Sequence, residues 1–372
     1  MSTAGSIDTF VWFWGRRGGG PVFALKFAHW LAEARPDERL LLSFSETSEE
    51  LEAARTSGLP LVVEPDPRIA GSHLAKAQAV LAMAIRFRRD MKRLQPRRVV
   101  IPMNFAFAWP LVHLVPRGTR VTYVVHDDTP HPGDYARLWQ ESTQKRLVAA
   151  ADRVLALSEA VGADVLAHHR GVNDKLRIVP INAFYADALQ PAAAHRRPMP
   201  IGRPLQLLFV GRLIAYKGLS LLRAALEPLK ARDDWRLTIA GSGPDKAYAD
   251  DAFKDMPQVT LRTEWLSQPD LQGLIAEADT LICPYVEASQ SAIIPEGLAL
   301  GTPSIVTPVG ALPEQVGFGA VGEVAAQATA DALTVAIQRL IDDRDHVAAL
   351  QAKAQGFMRA GRAVADLAGA LG

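Results

Sequence analysis

One cysteine in 372 residues, Cys283, excludes an internal disulfide and any zinc site built from cysteines. It lies in the apolar run Thr280-Leu-Ile-Cys-Pro284 and reads as a buried strand residue. Charge of one sign is lacking as well: a net charge of +1 is far from the basic excess of a general nucleic-acid binder. No apolar run is long enough to span a membrane, Thr9-Phe-Val-Trp-Phe-Trp14 being far too short. Ser2 to Ser6 are small and polar and show no secretory leader, so the expectation is a reduced, cytoplasmic protein. GxGxxG is missing, because Gly241-Ser-Gly243 has Lys246 at the third glycine position; that weakens a dinucleotide reading. Solenoid periods and low-complexity tracts are absent too.

What is present is an α/β rhythm in a chain that is 49% hydrophobic and long enough for two domains. Ile7 to Trp14 is an apolar run that stops at glycine, as buried parallel strands do. Gly15-Arg-Arg-Gly-Gly-Gly20-Pro21 follows, and then a helical pattern from Val22 to Ala34. Strand, glycine turn and helix open a βαβ unit. Further strand-like runs at Leu40–Ser43, Leu61–Val63, Val99–Pro102, Val121–Val125 and Val154–Leu157 alternate with helical stretches such as Ser72–Leu94 and Tyr135–Ala150. Such alternation implies a mostly parallel sheet covered on both faces.

Between Tyr185 and Pro204 the composition turns to proline, alanine and arginine, the mark of a linker at 185–204. A second α/β pattern begins with a strand at Leu205–Val210, a helix at Leu219–Lys230 and a strand at Trp235–Ala240. Strands at Thr280–Pro284 and Ser304–Thr307 follow, separated by helices at Pro269–Glu277 and Pro295–Leu300, and Ala325–Arg362 is helical in pattern. The expected fold is α/β, two Rossmann-like doubly wound parallel-sheet domains facing across a cleft at their strands' carboxyl ends.

The most informative stretch is Ala288-Ser-Gln-Ser-Ala-Ile-Ile-Pro-Glu296-Gly-Leu-Ala-Leu-Gly301-Thr-Pro303. Pro295 fits only a first helical turn, so a helix should begin near Ile293, and Gly301 with Pro303 should close it. Its N-terminal N–H groups would lie beside Ser289, Gln290 and Ser291, an anion site, with Glu296 one turn in and able to reach a ribose. Phe209-Val-Gly211-Arg212-Leu-Ile-Ala-Tyr-Lys217-Gly218 comes straight off a strand into a helix. Arg212 as a fork and Lys217 as a point charge could converge on one dianion; as a bare sequence they could equally be two solvated loop cations.

Joined in order, Gly211-Arg212-Leu…Lys217-Gly218, Pro284-Tyr285…Ser289-Gln-Ser291…Pro295-Glu296…Gly301-Thr-Pro303…Gly310…Pro313-Glu314 resembles the C-terminal domain of family 4 retaining glycosyltransferases. The resemblance implies a GT-B fold. Residues 1–184 would form an acceptor-side domain and 205–345 the nucleotide-sugar domain; 346–372 would be a C-terminal helix able to cross back to the first domain. It also implies that Arg212 and Lys217 hold the donor diphosphate, that Glu296 receives the ribose hydroxyls, and that Gly241 lines the base or ribose pocket. The family commonly carries a first glutamate eight positions before the second, followed by Gly-Phe-Gly. Here that position is Ala288, with Glu287 one residue off and Ser289-Gln290-Ser291 after it. This looks like a branch whose Ser-Gln-Ser loop contacts sugar and phosphate through amides and hydroxyls.

In the first half, Gly18-Gly-Gly20-Pro21 ends the first strand, where a glycine turn lets backbone approach phosphate. Glycine turns after strands are common, but the family has a paired-glycine loop here, which makes Gly19 and Gly20 candidate ligand contacts. Val124-Val125-His126-Asp127-Asp128-Thr-Pro130-His131-Pro132 holds the best catalytic candidate, since a histidine just past a buried strand projects toward the ligand edge. The resemblance places His126 near the donor sugar, orienting it and stabilising charge, with Asp127, Asp128 and His131 on the acceptor side. Without that context, His126 reads as a loop histidine capped by Asp127.

No metal or other cofactor is expected. Asp343-Arg-Asp345 has the Asp-x-Asp form but sits in a helical pattern, and two cations with a helix terminus supply positive charge for a diphosphate. From Lys76 to Arg98 an apolar stripe (Val80, Ala84, Phe87, Met91, Leu94) is flanked by Arg86, Arg89, Lys92, Arg93 and Arg97. That helix could dock on anionic lipid at the inner face of a membrane, or its stripe could pack on the sheet with the cations solvated.

The expected activity is retaining transfer of a sugar from a nucleotide-diphosphate donor to a hydroxyl of a glycan or lipid-linked acceptor, in polysaccharide or lipid-linked glycan assembly. A nucleotide-sugar epimerase on the same fold and a sugar-nucleotide-binding protein with a lapsed site are the rivals.

Overall fold

The computed structural model describes residues 7–129, 137–185, 202–364 and 370–371. They divide into two compact units, with the boundary between Val179 and Pro180. Most of the expected linker, and His131, lie outside the described residues.

The first unit alternates strands and helices: β1 (Thr9–Phe13), α1 (Gly19–Ala34), β2 (Leu40–Ser45), α2 (Leu51–Thr56), β3 (Leu61–Glu64), α3 (His73–Leu94), β4 (Arg98–Ile101), α4 (Ala108–Val112), β5 (Arg120–Val125), α5 (Arg137–Ala150), β6 (Arg153–Ala156), α6 (Glu159–His168) and β7 (Leu176–Ile178). The seven strands are parallel in the order β3-β2-β1-β4-β5-β6-β7. Strands covered on both faces are mostly apolar, and β1, β2 and β4 are buried throughout. The Trp12 ring stacks on Phe87 of α3 at 4.4 Å between centroids and meets Phe105 edge-on at 5.1 Å, so the aromatic first strand anchors a helix and a loop at once.

The second unit runs β8 (Leu205–Val210), α7 (Leu219–Leu226), β9 (Trp235–Ala240), α8 (Lys246–Ala252), β10 (Val259–Arg262), α9 (Gln268–Glu277), β11 (Thr280–Cys283), α10 (Ile293–Ala299), β12 (Ser304–Val306), α11 (Leu312–Gln315), β13 (Glu323–Val324), α12 (Ala330–Asp342) and α13 (Arg344–Val364). Its six parallel strands follow the order β10-β9-β8-β11-β12-β13. In each unit the order reverses beside the first strand, at β1/β4 and at β8/β11. The loops leaving the carboxyl ends of such neighbours part in opposite directions and leave a crevice between them.

Two sequence expectations change. The helical pattern over Ala325–Arg362 is two helices, because Asp343 leaves helical geometry and its Oδ1 accepts from His346 N–H at 2.8 Å, capping α13. Asp343-Arg-Asp345 therefore marks a helix junction rather than a continuous helix surface. The stripe expected on the basic helix is also only partly inward. Phe87 and Met91 are buried with Met83, whereas Val80 is exposed. Among the described residues, no helix is long and apolar enough to cross a membrane.

Candidate functional site

The crevice of the second sheet is bounded by the loop after β8, residues 211–218, and the loop after β11, residues 284–292. Arg212 is exposed at the start of the first loop, and Lys217 ends a short 3₁₀ turn, Ala215–Lys217. Two backbone features lock the loops together. Val286 N–H donates to the Tyr216 carbonyl at 2.9 Å. Gly218 has φ +74°, and a Cβ there would stand 1.9 Å from the Pro284 carbonyl oxygen, so only glycine turns the chain into α7 at this spot.

The Lys217 ammonium lies 3.7 Å from the centroid of the Tyr285 ring and 5.3 Å from that of Tyr216. Tyr285 is itself buried, and its hydroxyl shares a 3.1 Å hydrogen bond with Ser291 Oγ. The cation is thus held on an aromatic face at the crevice wall. Cys283 beneath is inert: burial pushes its thiol up to about 11, with the Lys217 charge acting in the other direction.

Of the Ser-Gln-Ser loop, Ser289 and Gln290 are half-buried and Ser291 is buried. Ser291 is fixed by Gln315 of α11, whose side-chain amide donates to the Ser291 carbonyl at 2.7 Å and accepts from its N–H at 2.8 Å. Asn182 Nδ2 in turn donates to the Gln315 carbonyl at 2.9 Å. Ser289 presents its carbonyl to Ala311 N–H at 3.0 Å. Glu287 is exposed. Helix α10 begins at Ile293, where Pro295 led us to expect it, and buries Glu296. The Glu296 carboxylate accepts from Gln272 Nε2 at 2.7 Å and Gln268 Nε2 at 3.2 Å, both from α9, and its charge adds to burial in raising the Tyr185 phenol.

Gly211 and Gly241 lie side by side at the ends of β8 and β9. Gly241 has φ +132°, and a Cβ there would stand 1.9 Å from the Gly211 carbonyl oxygen. Close backbone approach therefore accounts for Gly241 without any ligand.

In the first unit, α1 starts at Gly19, earlier than its apolar pattern suggested, so Gly19 and Gly20 form its first turn. Gly20 packs on the Phe13 ring and the Met103 sulfur, while Gly19 opens to empty space. The Gly18 N–H that precedes them donates to Glu49 Oε2 at 3.2 Å. Beside this turn, His126 follows β5 with Nε2 2.9 Å from the Pro102 carbonyl at the end of β4. A carbonyl only accepts, so Nε2 carries the proton and Nδ1 the lone pair. Burial lowers this imidazole to about 4, against a smaller upward pull from Asp127, and its ring meets Phe23 edge-on at 4.3 Å. His126 is therefore neutral at pH 7.

Asp127 is half-buried and presents its carbonyl to Gln144 Nε2 at 2.8 Å. The buried Asp128 carboxylate bridges His168 Nδ1 at 2.5 Å and His169 Nε2 at 2.7 Å. Burial alone would raise that carboxyl, but the two imidazoles outweigh it and hold it below the usual range. Among the described residues, no cluster of three or more histidine, cysteine or acidic side chains is arranged to hold a metal.

Comparison with known families decides what these loops belong to. The family model described as Glycosyltransferase Family 4 matches residues 17–181, and that described as Glycosyl transferases group 1 matches residues 204–343. The chain belongs to glycosyltransferase family 4.

Among curated relatives, a D-inositol 3-phosphate glycosyltransferase of Arthrobacter sp. (strain FB24) is 26% identical over 273 residues, which are 67% of this chain and 62% of the relative. An MMP alpha-(1->4)-mannosyltransferase of Mycolicibacterium hassiacum is 27% identical over 205 residues, 54% of this chain and 47% of that protein. The chain thus spans about three-fifths and about half of their lengths. A solved glycosyltransferase from Rickettsia africae ESF-5 superposes with a TM-score of 0.70 at 16% identity, covering 96% of this chain and 94% of that one. Anabaena HepE in complex with UDP and glucose gives 0.67 at 15%, covering 96% and 95%. These likenesses establish the GT-B fold of this family 4 glycosyltransferase.

Sequence reasoning did not single out Tyr285, Gln268, Gln272 or Gln315 for a role. Tyr285 was readable as part of the motif, but its ring's service to Lys217 needs the fold. The three glutamines act across 24 to 28 residues and leave no local signal.

Proposed function

We propose that this chain transfers a glycosyl group from a nucleotide-diphosphate sugar to an acceptor hydroxyl, with retention at the anomeric carbon. The observation that carries the proposal is the cationic loop at the β8/β11 crevice, with Lys217 seated on Tyr285 and Arg212 exposed five residues earlier. Departure of a nucleoside diphosphate leaves negative charge on its terminal phosphate, and fixed cations lower the energy of that state without reorganising. The glycosidic C–O bond to the phosphate breaks as the acceptor oxygen forms its bond on the same face, and the acceptor proton passes to the departing phosphate oxygen. Two cations meet the leaving group's charge, so the reading calls for no metal ion.

Glu296, oriented by Gln268 and Gln272, would accept the ribose hydroxyls, and Ser289, Gln290 and the N–H groups around Ser291 would line the sugar and phosphate. Neutral His126 would have an orienting rather than a charge-bearing role toward the sugar. The binding of UDP and glucose by HepE and the D-inositol 3-phosphate glycosyltransferase likeness support a nucleotide-sugar donor and a polyol or glycan acceptor. Thermal-shift screening against UDP-, GDP-, ADP- and TDP-sugars tests the donor class, because a bound donor raises the melting temperature by mass action. No shift with any of them would sink the proposal. Incubation with donor alone separates transfer from the epimerase alternative, which would yield an epimer without acceptor.

A further inference from the structure

Helix α3 spans 22 residues, about 33 Å at the standard helical rise, yet buries only Met83, Phe87 and Met91. Its opposite face is apolar as well. Leu74, Leu81 and Ile85 are 70%, 63% and 60% exposed, and Ile69, just before the helix, is 58% exposed. Spacings of seven and four place the three helical residues on one line, and Arg88 and Lys92 continue that line by steps of three and four. Soluble surfaces scatter exposed leucines singly; a row of them on one helix marks a surface that meets something.

The cations of this region separate once their partners are known. Arg86 donates to Glu64 at 2.6 Å, and Arg98 is buried in β4 with Glu38 at 3.1 Å, so both belong to the fold. Arg97 faces Asp8 at 3.5 Å. Arg88, Arg89, Lys92 and Arg93 remain exposed. Asp90 lies 3.8 Å from Arg89 and 3.5 Å from Arg93, whereas Arg88 and Lys92 have no ion pair among the described residues. Of the cations in the last three turns, the two without an ion pair are therefore those in line with the leucines; Lys76, exposed in the first turn and likewise without an ion pair among the described residues, lies off that line.

We propose that this outer face of α3 docks on an anionic lipid surface. Leu74, Leu81 and Ile85 enter the headgroup boundary, and Arg88 and Lys92 reach the lipid phosphates. An apolar row continued by unneutralised cations fits such a surface. A second copy of the chain would bring Arg88 and Lys92 toward like charges in a parallel pairing and leave them uncompensated in an antiparallel one. The docking face is separate from the side of α3 that packs on Trp12, and the proposal does not depend on the catalytic reading.

The test is flotation of the full chain with vesicles of phosphatidylglycerol in phosphatidylcholine and, separately, with pure phosphatidylcholine. Binding is expected to the anionic vesicles only and to weaken at high salt. Arg88→Gln with Lys92→Gln should lower the partition coefficient about 30-fold, as expected for two cations at a charged surface. Leu81→Gln with Ile85→Gln should abolish flotation, and Arg117→Gln, an exposed cation elsewhere, should leave it unchanged. Melting curves confirm that each variant is folded. Absence of flotation by the wild type, equal binding to both vesicles, or a wild-type dimer that Leu81→Gln with Ile85→Gln makes monomeric would each overturn the proposal.

Discussion

The Lys217 ammonium stands 3.7 Å from the centroid of the buried Tyr285 ring, which joins the loop after β8 to the loop after β11 across the crevice of the second sheet. The ring is in turn hydrogen-bonded to Ser291, so three residues from two loops set the position of one charge.

Separating ring from hydroxyl tests this arrangement. Tyr285→Phe keeps the aromatic face and should cost about 1 kcal/mol of stability through the lost hydrogen bond, with donor affinity nearly intact. Tyr285→Leu removes the seat of the cation and should weaken nucleoside diphosphate binding by about 2- to 30-fold, the range of a cation–π contact. Calorimetric titration of UDP and GDP into both variants checks the contrast.

Gln315 closes a two-bond ring with the Ser291 backbone. Gln315→Leu leaves a buried N–H and carbonyl without that partner and should destabilise the second unit by about 2–4 kcal/mol in urea unfolding. Gln315→Glu should not rescue it, because a carboxylate cannot donate to the Ser291 carbonyl.

Gln268 and Gln272 aim the Glu296 carboxylate. In the proposed role of Glu296, replacing both by alanine should raise KM for the donor more than it lowers kcat, since the ribose contact is made in ground and transition states alike. Equal loss from a deoxyribose donor and its ribose counterpart would show that the glutamines serve stability alone.

How far this site was legible in the sequence depends on range. Residues 209–218 and 288–303 are contiguous, and each announces itself through strand, glycine and proline at fixed offsets; the start of α10 at Ile293 follows from Pro295. The pairing of Asp128 with His168 and His169 was not legible, because 40 and 41 residues separate them and leave no local signal. Strand β10 went unread because Val259–Arg262 alternates half-buried and exposed positions, and it forms the edge of its sheet. Helix α3 was legible in part, since Phe87 and Met91 of its expected stripe pack inward while the exposed Leu74, Leu81 and Ile85 lie on another face. It has apolar residues on two faces, and a period of 3.6 does not say which one packs.

Two titrating groups of the first unit give pH signatures of the same sign in successive windows. His126 has a folded pKa of about 4, below its ordinary 6.5, so the unfolded chain binds the extra proton first. Stability should therefore fall as pH drops from about 6.5 toward 4 and level off below. Asp128 is held below its ordinary value, so its contribution is fully present above about pH 4 and is lost as pH falls through the lower folded value. His126→Gln should flatten the upper limb of a melting-temperature profile and Asp128→Asn the lower one. In the NMR spectrum, the His126 imidazole should remain neutral at pH 6.

The measurement that bears most directly on the proposed site is turnover and donor binding of the Arg212→Ala, Lys217→Ala double variant. The two cations lie in the loop at the carboxyl end of β8, at the crevice where the sheet order reverses. With a donor identified by thermal shift, the folded double variant should lose at least about a hundredfold in kcat/KM, as for loss of fixed charge at a leaving group. It should also bind the free nucleoside diphosphate more weakly than the wild type. Full transfer activity in that variant, with unchanged affinity for the diphosphate, would contradict the assignment.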